Sequence, residues 1–338
     1  VMKYTAWGFE VMIESNAGGA AGFEDKLYSA AGADIIINRQ NIFDNADIIL
    51  SVWGVDEQEY SLLRAKQILI ADFESFKYPQ RAEKLAKTGV VALALERMPR
   101  ISRAQPADIL SSQSNIGGYK AAMLGMNLLN RAVPLMMTAA GTVVPAKALV
   151  LGAGVAGLQA IATLKRMGAV VYASDVRAAA REQVESLGGR FLSVDDSADF
   201  ENHTGYAAEV SAQYLAKQKL VITEQLKQTD ILITTALSAD GKAPELISAV
   251  MVSVMPPHAV IVDMADGNVE AENLRDDILI IGNRNLATLV PDTASKLFAR
   301  NMLRLLEMYG GKNFNLPPDD ELLSAIALCG YRDKENDK

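Results

Sequence analysis

The polar residues with the greatest capacity to bind a ligand lie together between positions 99 and 115, in the stretch PRISRAQPADILSSQSN. It holds two arginines, two glutamines, one aspartate and four serines, between an apolar run and an apolar helical pattern. Loops that follow strands in open α/β sheets commonly bind ligands, so these groups could hold a polar substrate. The simpler alternative is that the aspartate and the serines only cap the next helix, and the residues alone favour that alternative.

The glycine motif GAGVAG at residues 152–157 is a second candidate site, suited to the phosphates of a dinucleotide. It follows a predicted strand and precedes a predicted helix, whose N-terminus offers unpaired N–H groups to phosphate oxygens. The three glycines would make the tight turn, admit the pyrophosphate and let the helix pack closely on the strand. The predicted cofactor contacts here are Gly152, Ala153, Gly154, Val155 and Gly157.

An acidic residue stands where such a motif needs one. Asp175 ends the next predicted strand, eighteen residues after Gly157. A carboxylate there accepts hydrogen bonds from the ribose hydroxyls of adenosine and repels a 2′-phosphate, which favours NAD over NADP. Arg177 complicates this preference because NADP sites use a nearby arginine, and Val176 between them is expected to line the site. The alternative is a Rossmann-like sheet that no longer binds a nucleotide.

Composition excludes several classes of function. The 338 residues carry a net charge of −8, which disfavours a nucleic-acid partner because such binding needs clustered basic residues. The single cysteine, Cys329, cannot form an internal disulfide, and with only His203 and His258 the sequence predicts no metal site. The longest apolar runs are interrupted by proline and lysine, so no membrane span is expected.

The positioning elements follow an alternating strand–helix rhythm, which predicts an α/β fold with two Rossmann-like domains, parallel sheets and long linking helices. Long helices are predicted over 107–131, with Ile116, Tyr119, Met123 and Met126 on one face, and over 298–310. The stretch 195–229 is predicted to be irregular, and its polar segment DDSADFENHTGY (195–206) is predicted to be a loop. The predicted strands are 8–14, 33–38, 46–52, 67–72 and 90–95 in the first third, then 147–152, 169–175, 190–194, 230–237, 259–264 and 277–282.

Together these segments resemble the NAD(H)-binding domain I, or α subunit, of proton-translocating NAD(P) transhydrogenase, in the alanine dehydrogenase/transhydrogenase family. The resemblance runs from about residue 8 to 310. The matching stretches are MPRISRAQ (98–105), DILSSQSN (108–115), MTAAGTVVPAKALVLGAGVAGLQAIATLKRMGAVVYASDVRAA (137–179), EQVESLGG (182–189) and TTAL (234–237).

The resemblance implies roles for individual residues. Carried over by position, Arg100, Gln105, Asp108 and Ser111 would form the catalytic loop beside the nicotinamide. Hydride transfer between two nicotinamides needs positioning rather than an acid and a base. Gly205 and Tyr206 would lie at the tip of a loop that covers the bound nucleotide, and the cofactor would also contact Thr235, Ala236 and Leu237.

The related alanine dehydrogenase needs a proton-transferring pair that this sequence lacks. That enzyme places a lysine and a histidine after the strands that match 46–52 and 67–72, where this chain has Ser51 and FES (73–75). Two alternatives stay open: a stand-alone NAD-dependent, alanine dehydrogenase-like oxidoreductase, and a degenerate NAD-binding module. The second is suggested by altered segments at 263–273 and 285–289.

The resemblance also implies an architecture and an assembly. It predicts a first domain of residues 1–115 completed by 292–338, an NAD(H)-binding domain of residues 116–291, and a cleft between them. The first sheet is expected either to lack the family's first strand or to have another segment in its place. The implied partners are an NADP(H)-binding domain III, a membrane domain II and a second copy of this chain. The implied location is peripheral, on the cytoplasmic or matrix face of an energy-transducing membrane.

Overall fold

The computed structural model describes residues 1–194, 212–238, 242–270, 275–283 and 285–331. The chain divides into two compact units. The first comprises Val1–Ser112 and Pro291–Lys338, and the second comprises Gln113–Val290. The first unit is therefore built from two separated segments, and the second from one continuous segment.

The described segments alternate strands and helices, as the sequence pattern predicts. One prediction is wrong in part, because a helix forms over Ala212–Leu226, inside the stretch 195–229 that was expected to be irregular. The strands are β1 Met12–Glu14, β2 Asp34–Ile36, β3 Ile48–Trp53, β4 Ile68–Asp72, β5 Val91–Ala94, β6 Met136–Thr138, β7 Gly141–Val143, β8 Lys147–Leu151, β9 Val170–Ser174, β10 Arg190–Phe191, β11 Ile231–Thr234, β12 Val260–Asp263, β13 Leu279–Gly282 and β14 Ala327–Cys329. The helices are α1 Met2–Ala6, α2 Asp25–Ala30, α3 Gln40–Asn45, α4 Gln80–Ala86, α5 Ile109–Leu128, α6 Val155–Arg166, α7 Ala179–Ser186, α8 Ala212–Leu226, α9 Ala249–Ser253, α10 Pro291–Met308 and α11 Glu321–Ile326.

The second unit contains a six-stranded parallel sheet in the order β10-β9-β8-β11-β12-β13. This is the strand order of the doubly wound dinucleotide-binding fold, so the predicted α/β fold class is confirmed. The central strands β8, β11 and β12 are almost completely buried, as expected for strands covered by helices on both faces. The order of connection reverses between β8 and β11, which is where ligands bind in such sheets.

The first unit contains a four-stranded sheet in the order β14-β5-β4-β3. β3, β4 and β5 are parallel, and β14 pairs antiparallel with β5. The predicted strands at 8–14 and 33–38 shorten to β1 and β2, which pair with each other in a separate two-stranded sheet. Sequence reasoning missed β14, because its three residues form too short a pattern to identify.

Helix α10 packs one apolar face into the core of the first unit. Phe298, Met302, Leu305 and Leu306 are buried along this face, so the interpretation of this stripe as core is confirmed. The helix begins earlier than the predicted residue 298, because Pro291 suits a first helical position. It ends before Gly310, whose φ of 101° only glycine adopts easily.

Helix α5 forms within the predicted range, but its expected buried face is wrong in part. Tyr119 is 40% exposed, although the sequence pattern placed it on the apolar face. Small residues mark the buried side instead, including Gly117, Gly118, Ala121 and Ala122. A Cβ on Gly118 would lie 2.0 Å from the carbonyl oxygen of Ala156, so the helix backbone approaches the start of α6 at a distance that only glycine permits.

Candidate functional site

The glycines of the 152–157 motif occupy the three positions that a dinucleotide turn requires. Gly152 has a φ of 92°, and a Cβ there would meet the Thr235 hydroxyl at 2.6 Å. A Cβ on Gly157 would lie 1.9 Å from the carbonyl oxygen of Gly152, so α6 packs directly on the turn. Gly154 precedes the first residue of α6, and a Cβ there would meet nothing within 4 Å. The turn is therefore tightly packed at Gly152 and Gly157, and there is free space beside Gly154.

The open side of the turn coincides with the N-terminus of α6. The first N–H groups of a helix have no acceptor within the helix and carry partial positive charge. Leu158 is the first residue here to donate back to Gly154, at 2.8 Å, so the N–H groups before it lie ahead of the helical ladder. Val155 is 38% exposed. These groups and the free space at Gly154 fit the pyrophosphate of a dinucleotide.

Asp175 ties the turn to the end of the neighbouring strand. Its Oδ2 accepts a hydrogen bond from the Ala153 N–H at 2.7 Å. Its Oδ1 accepts from the Arg177 N–H and Nε, each at 2.9 Å, and Arg177 Nη2 donates to Oδ2 at 2.9 Å. Both side chains are mostly buried, with 7% of Asp175 and 18% of Arg177 exposed. The structure thus places the predicted acidic residue beside the turn, paired with the arginine that complicated its interpretation.

The segment after β11 completes the edge of the sheet next to the turn. The Thr235 hydroxyl donates to the Gly152 carbonyl at 3.0 Å. Asn268 holds Ala236 on both sides, because its Oδ1 accepts from the Ala236 N–H and its Nδ2 donates to the Ala236 carbonyl, each at 3.0 Å. Leu237 is 43% exposed. The structure brings Thr235 and Ala236 together with the turn that Asp175 also contacts.

Sequence reasoning missed Asp263 as the organising residue of the loop after β12. Its carboxylate, buried at the end of the strand, accepts from the Thr234 hydroxyl at 2.9 Å. It also accepts from the backbone N–H groups of Ala265, Asp266, Gly267, Asn268 and Val269, at 2.8 to 3.2 Å. This carboxylate therefore organises the altered segment as far as Val269, and it positions Asn268. An aspartate at a strand end followed by a glycine–asparagine turn is the signal that could have identified it.

The predicted catalytic residues belong to the first unit, where Asp108 caps a helix. Its Oδ1 accepts from the Ser111 N–H at 2.9 Å, and its Oδ2 accepts from the Ser111 hydroxyl. Asp108 is buried and immediately precedes α5, so it makes the N-cap that the simpler alternative described. Arg100 and Gln105 are exposed at the surface of the unit. The two ends of the predicted loop thus differ, since one is fixed in a cap and the other faces solvent.

Three residues that sequence reasoning missed fix the backbone of this loop. Asn301 is buried on α10, where its Nδ2 donates to the Pro106 carbonyl at 2.9 Å and its Oδ1 accepts from the Ser112 hydroxyl at 2.7 Å. Arg103 pairs with Asp320 at 2.9 Å. The position of Asn301 inside an apolar helical face was the available signal, because a buried amide needs polar partners.

A pair of carboxylates lies at the edge of the four-stranded sheet. Asp72 ends β4 and Glu96 follows β5. Burial raises the pKa of Asp72 to about 7, and the negative charge of Glu96 adds to this. Glu96 accepts from the N–H groups of Phe73 at 3.1 Å and Ser75 at 2.9 Å, so it organises the turn after β4. No sequence pattern indicated that Asp72 would titrate near neutral pH.

The remaining predictions concern two loop residues, metal sites and membrane spans. Gly205 and Tyr206 lie outside the described residues. Within the ranges that the structure describes, no group of three or more His, Cys, Asp or Glu residues is arranged to hold a metal ion. Over the same ranges, no helix is both long enough and apolar enough to cross a bilayer.

Comparison with known proteins agrees with this geometry. Residues 1–117 match the family described as alanine dehydrogenase/PNT, N-terminal domain, and residues 121–331 match the alanine dehydrogenase/PNT, C-terminal domain. The chain is 44% identical to the first part of NAD(P) transhydrogenase subunit alpha of Rhodospirillum rubrum, over 98% of this chain and 91% of that protein. It is 29% identical to alanine dehydrogenase of Mycolicibacterium smegmatis, over 78% of this chain and 66% of that protein.

A solved structure gives the same result in three dimensions. The transhydrogenase structure from Sinorhizobium meliloti superposes with a TM-score of 0.86 at 39% sequence identity, covering 97% of this chain and 92% of that chain. The resemblance inferred from the sequence motifs is confirmed by these matches. The chain therefore belongs to the alanine dehydrogenase/PNT family.

Proposed function

We propose that this chain is the NAD(H)-binding component of a proton-translocating NAD(P) transhydrogenase. The carrying observation is the combination of a complete dinucleotide turn with strand ends that offer no lysine or histidine for proton transfer. Ser51 lies on β3, and Phe73–Ser75 follow β4, where an alanine dehydrogenase would need its ionisable pair. The similarity to transhydrogenase α subunits over almost the whole chain supports the same function.

The glycine turn, Asp175 and the segment after β11 would each contact a different part of NAD(H). The pyrophosphate would lie on the α6 N-terminus, where Gly154 leaves space for it. Asp175 would accept hydrogen bonds from the adenosine ribose, and Thr235, Ala236 and Leu237 would line the path towards the nicotinamide. NAD(H) itself donates or accepts the hydride. The role of the chain is to bind and orient this cofactor.

The loop that contains Arg100, Gln105, Asp108 and Ser111 would orient the nicotinamide. Arg100 and Gln105 are both exposed, and the Gln105 side chain can contact a ligand or a partner there. Asp108 and Ser111 bond to each other, which supports a positioning role for them at the start of α5. Gly205 and Tyr206 would help to exclude water, a role that rests on the family resemblance alone.

The reaction needs partners, because the chain would hold only one of the two nucleotides. An NADP(H)-binding domain III would carry the other nicotinamide, and a membrane domain II would couple the reaction to proton movement. This assembly implies a peripheral location on the cytoplasmic or matrix face of the membrane. A homodimer is supported by the β6–β7 hairpin, which together with its flanking residues exposes large apolar side chains, including Leu135, Met136, Met137 and Val144.

The deciding experiment combines the purified chain with an NADP(H)-binding domain III and follows the reduction of an NAD analogue by NADPH. Reduction should occur only when both components are present. Gln105→Ala should slow the transfer at least tenfold, with little change in NADH affinity measured by calorimetry. Ser102→Ala, an exposed change in the same loop, serves as the matched control and should behave as the wild type. Full activity of the chain without domain III would contradict the proposal.

A stand-alone oxidoreductase remains the second candidate, because Asp72 offers one titratable group at the end of β4. Its pKa of about 7 suits a proton-transferring residue. Its Oδ1 is engaged by the Glu74 N–H at 2.9 Å, however, and no basic partner accompanies it on β3. Turnover of alanine or pyruvate by the chain alone, abolished by Asp72→Asn, would favour this candidate.

A further inference from the structure

The carboxylate of Asp175 already accepts four hydrogen bonds. A carboxylate has two oxygens with about four lone-pair positions. Oδ1 accepts from the Arg177 N–H and Nε, and Oδ2 accepts from the Ala153 N–H and from Arg177 Nη2. In this conformation a ribose hydroxyl that approached Asp175 would have to share a lone pair with one of these four donors or replace that donor.

Two of these four bonds are backbone bonds that hold the turn, and two come from the guanidinium group. The backbone donors, Ala153 and Arg177, contribute one N–H to each oxygen. The guanidinium also contributes one N–H to each oxygen, through Nε and Nη2. A ribose would likewise offer one hydroxyl to each oxygen. The guanidinium fork therefore occupies the two positions that the 2′- and 3′-hydroxyls need.

We propose that Arg177 is a latch on the adenosine-ribose position, which NAD(H) must displace in order to bind. This inference rests on the proposed function. The two ribose hydroxyls would replace the two guanidinium donors. Asp175 would therefore accept four hydrogen bonds both before and after NAD(H) binds. A 2′-phosphorylated ribose has only one hydroxyl left for this exchange, and it brings negative charge towards a carboxylate that has lost its cation. The carboxylate of Asp175 therefore favours NAD(H) over NADP(H), and the displaced guanidinium weakens this preference because it can pair with a 2′-phosphate.

Removal of Arg177 should change NADH affinity in the opposite direction from removal of a residue that contacts NADH directly. Arg177→Met keeps much of the length of the side chain but has no donor, so Asp175 is open to the ribose from the start. NADH should bind about five- to tenfold tighter to this variant in calorimetry, since a partly buried, charge-assisted pair no longer competes. The preference for NADH over NADPH should rise. The nucleotide-free variant should unfold at a lower temperature than the wild type, because it lacks the ion pair.

Controls separate the latch from a general effect of charge. Arg181→Met removes the same charge from α7, where Arg181 stacks on Phe191, and should leave NADH affinity unchanged. Asp175→Asn should weaken NADH binding, and adding Arg177→Met in that background should give no further gain, because the carboxylate that the latch blocks is gone. Arg177→Lys, which keeps the charge and loses the fork, should lie between the wild type and Arg177→Met.

The outcomes distinguish this inference from the proposed function. NADH binding by the wild type with equal or weaker binding by Arg177→Met would overturn the latch and leave NAD(H) binding intact. Failure of both proteins to bind NADH would overturn both. A gain for Arg181→Met equal to that for Arg177→Met would reduce the effect to net charge and would also overturn the latch.

Discussion

The turn after β8 and the turn after β4 both follow inner strands that are parallel to their two neighbours, but they differ in what their N–H groups bind. After β4, the N–H groups of Phe73 and Ser75 donate to Glu96, and that of Glu74 donates to Asp72. After β8, Gly154 leaves open space beside the N-terminus of α6. Clusters of N–H groups at such edges attract anions. The turn after β4 binds carboxylates of the protein itself, whereas the turn after β8 leaves the corresponding position open to a phosphate.

The same contrast applies to two helix N-termini. α5 is capped by the Asp108 carboxylate, whereas α6 is preceded by Gly154, which has no side chain with which to cap it. A side-chain cap stabilises a helix N-terminus, whereas an N-terminus without a cap can bind an anion through its N–H groups. The distinction is encoded by a single residue in each case.

The largest effect should come from Gly157→Ala in the open turn. Its Cβ would lie 1.9 Å from a backbone carbonyl, which cannot move without displacing the turn. We expect a loss of about 3 kcal/mol in the free energy of unfolding, measured by urea denaturation, together with loss of NADH binding.

Gly154→Ala is the matched control for that change. It meets nothing within 4 Å, so stability should fall by at most about 1 kcal/mol. NADH affinity should nevertheless fall at least tenfold, because the methyl group lies where the pyrophosphate would approach. Equal losses of stability in the two variants would show that Gly154 is structural and that the open turn is not a binding site.

The next effect should come from Glu96→Ala in the filled turn. This change leaves the N–H groups of Phe73 and Ser75 without their acceptor, and we expect a loss of about 2 to 3 kcal/mol. The free energy of unfolding should be measured at pH 5, because Asp72 is protonated there and repulsion between Asp72 and Glu96 does not contribute. Glu96→Gln keeps one carbonyl acceptor and should lose about half as much. If neither variant is destabilised, the turn does not depend on its built-in anion.

Asp72→Asn should raise stability, and the gain should depend on pH. The pKa of Asp72 is raised from 3.8 to about 7 in the folded protein, so the stability of the wild type falls as pH rises from about 4 to 7. Asparagine removes that penalty and keeps an oxygen acceptor for the Glu74 N–H. We expect little difference in the free energy of unfolding at pH 4 and a gain of a few kcal/mol at pH 8. A gain that is the same at both pH values would contradict the raised pKa.

The smallest effect concerns the cap of α5. Asp108→Ala removes the acceptor of the Ser111 N–H and should lower the free energy of unfolding by about 1 kcal/mol. Gln105→Ala, at an exposed position of the same loop, should change it by less than about 0.5 kcal/mol. If both variants unfold as the wild type does, Asp108 is not acting as a cap in solution.

Structure was easiest to predict from the sequence at positions where the backbone or the ligand requires one residue type. The glycines of the turn and Asp175 could be placed in advance, because a positive φ, a close approach and a ribose acceptor each require a particular residue. The six-stranded sheet followed from apolar runs of clear length. The buried side of α5 was harder, since it depends on glycine and alanine, which give a weak hydrophobic pattern.

The partners of polar side chains could not be predicted in the same way. Asn301 bonds to Pro106, which lies 195 residues away, and no local pattern encodes such a contact. The raised pKa of Asp72 depends on burial and on a charge that follows the next strand. Arg177 was recognised only as a complication, because its pairing with Asp175 depends on side-chain geometry that the sequence does not specify.

The division of the first unit into two segments has a consequence for how the chain folds during synthesis. Contacts within this unit join residues that are far apart in the sequence, such as Cys329 and Val90, which are separated by 239 positions. Chains emerge from the ribosome N-terminus first, and contacts between distant residues are slow to form. The continuous second unit can complete its sheet once residue 290 has emerged, whereas β5 must wait for β14. The sheet that is encoded first is therefore completed last.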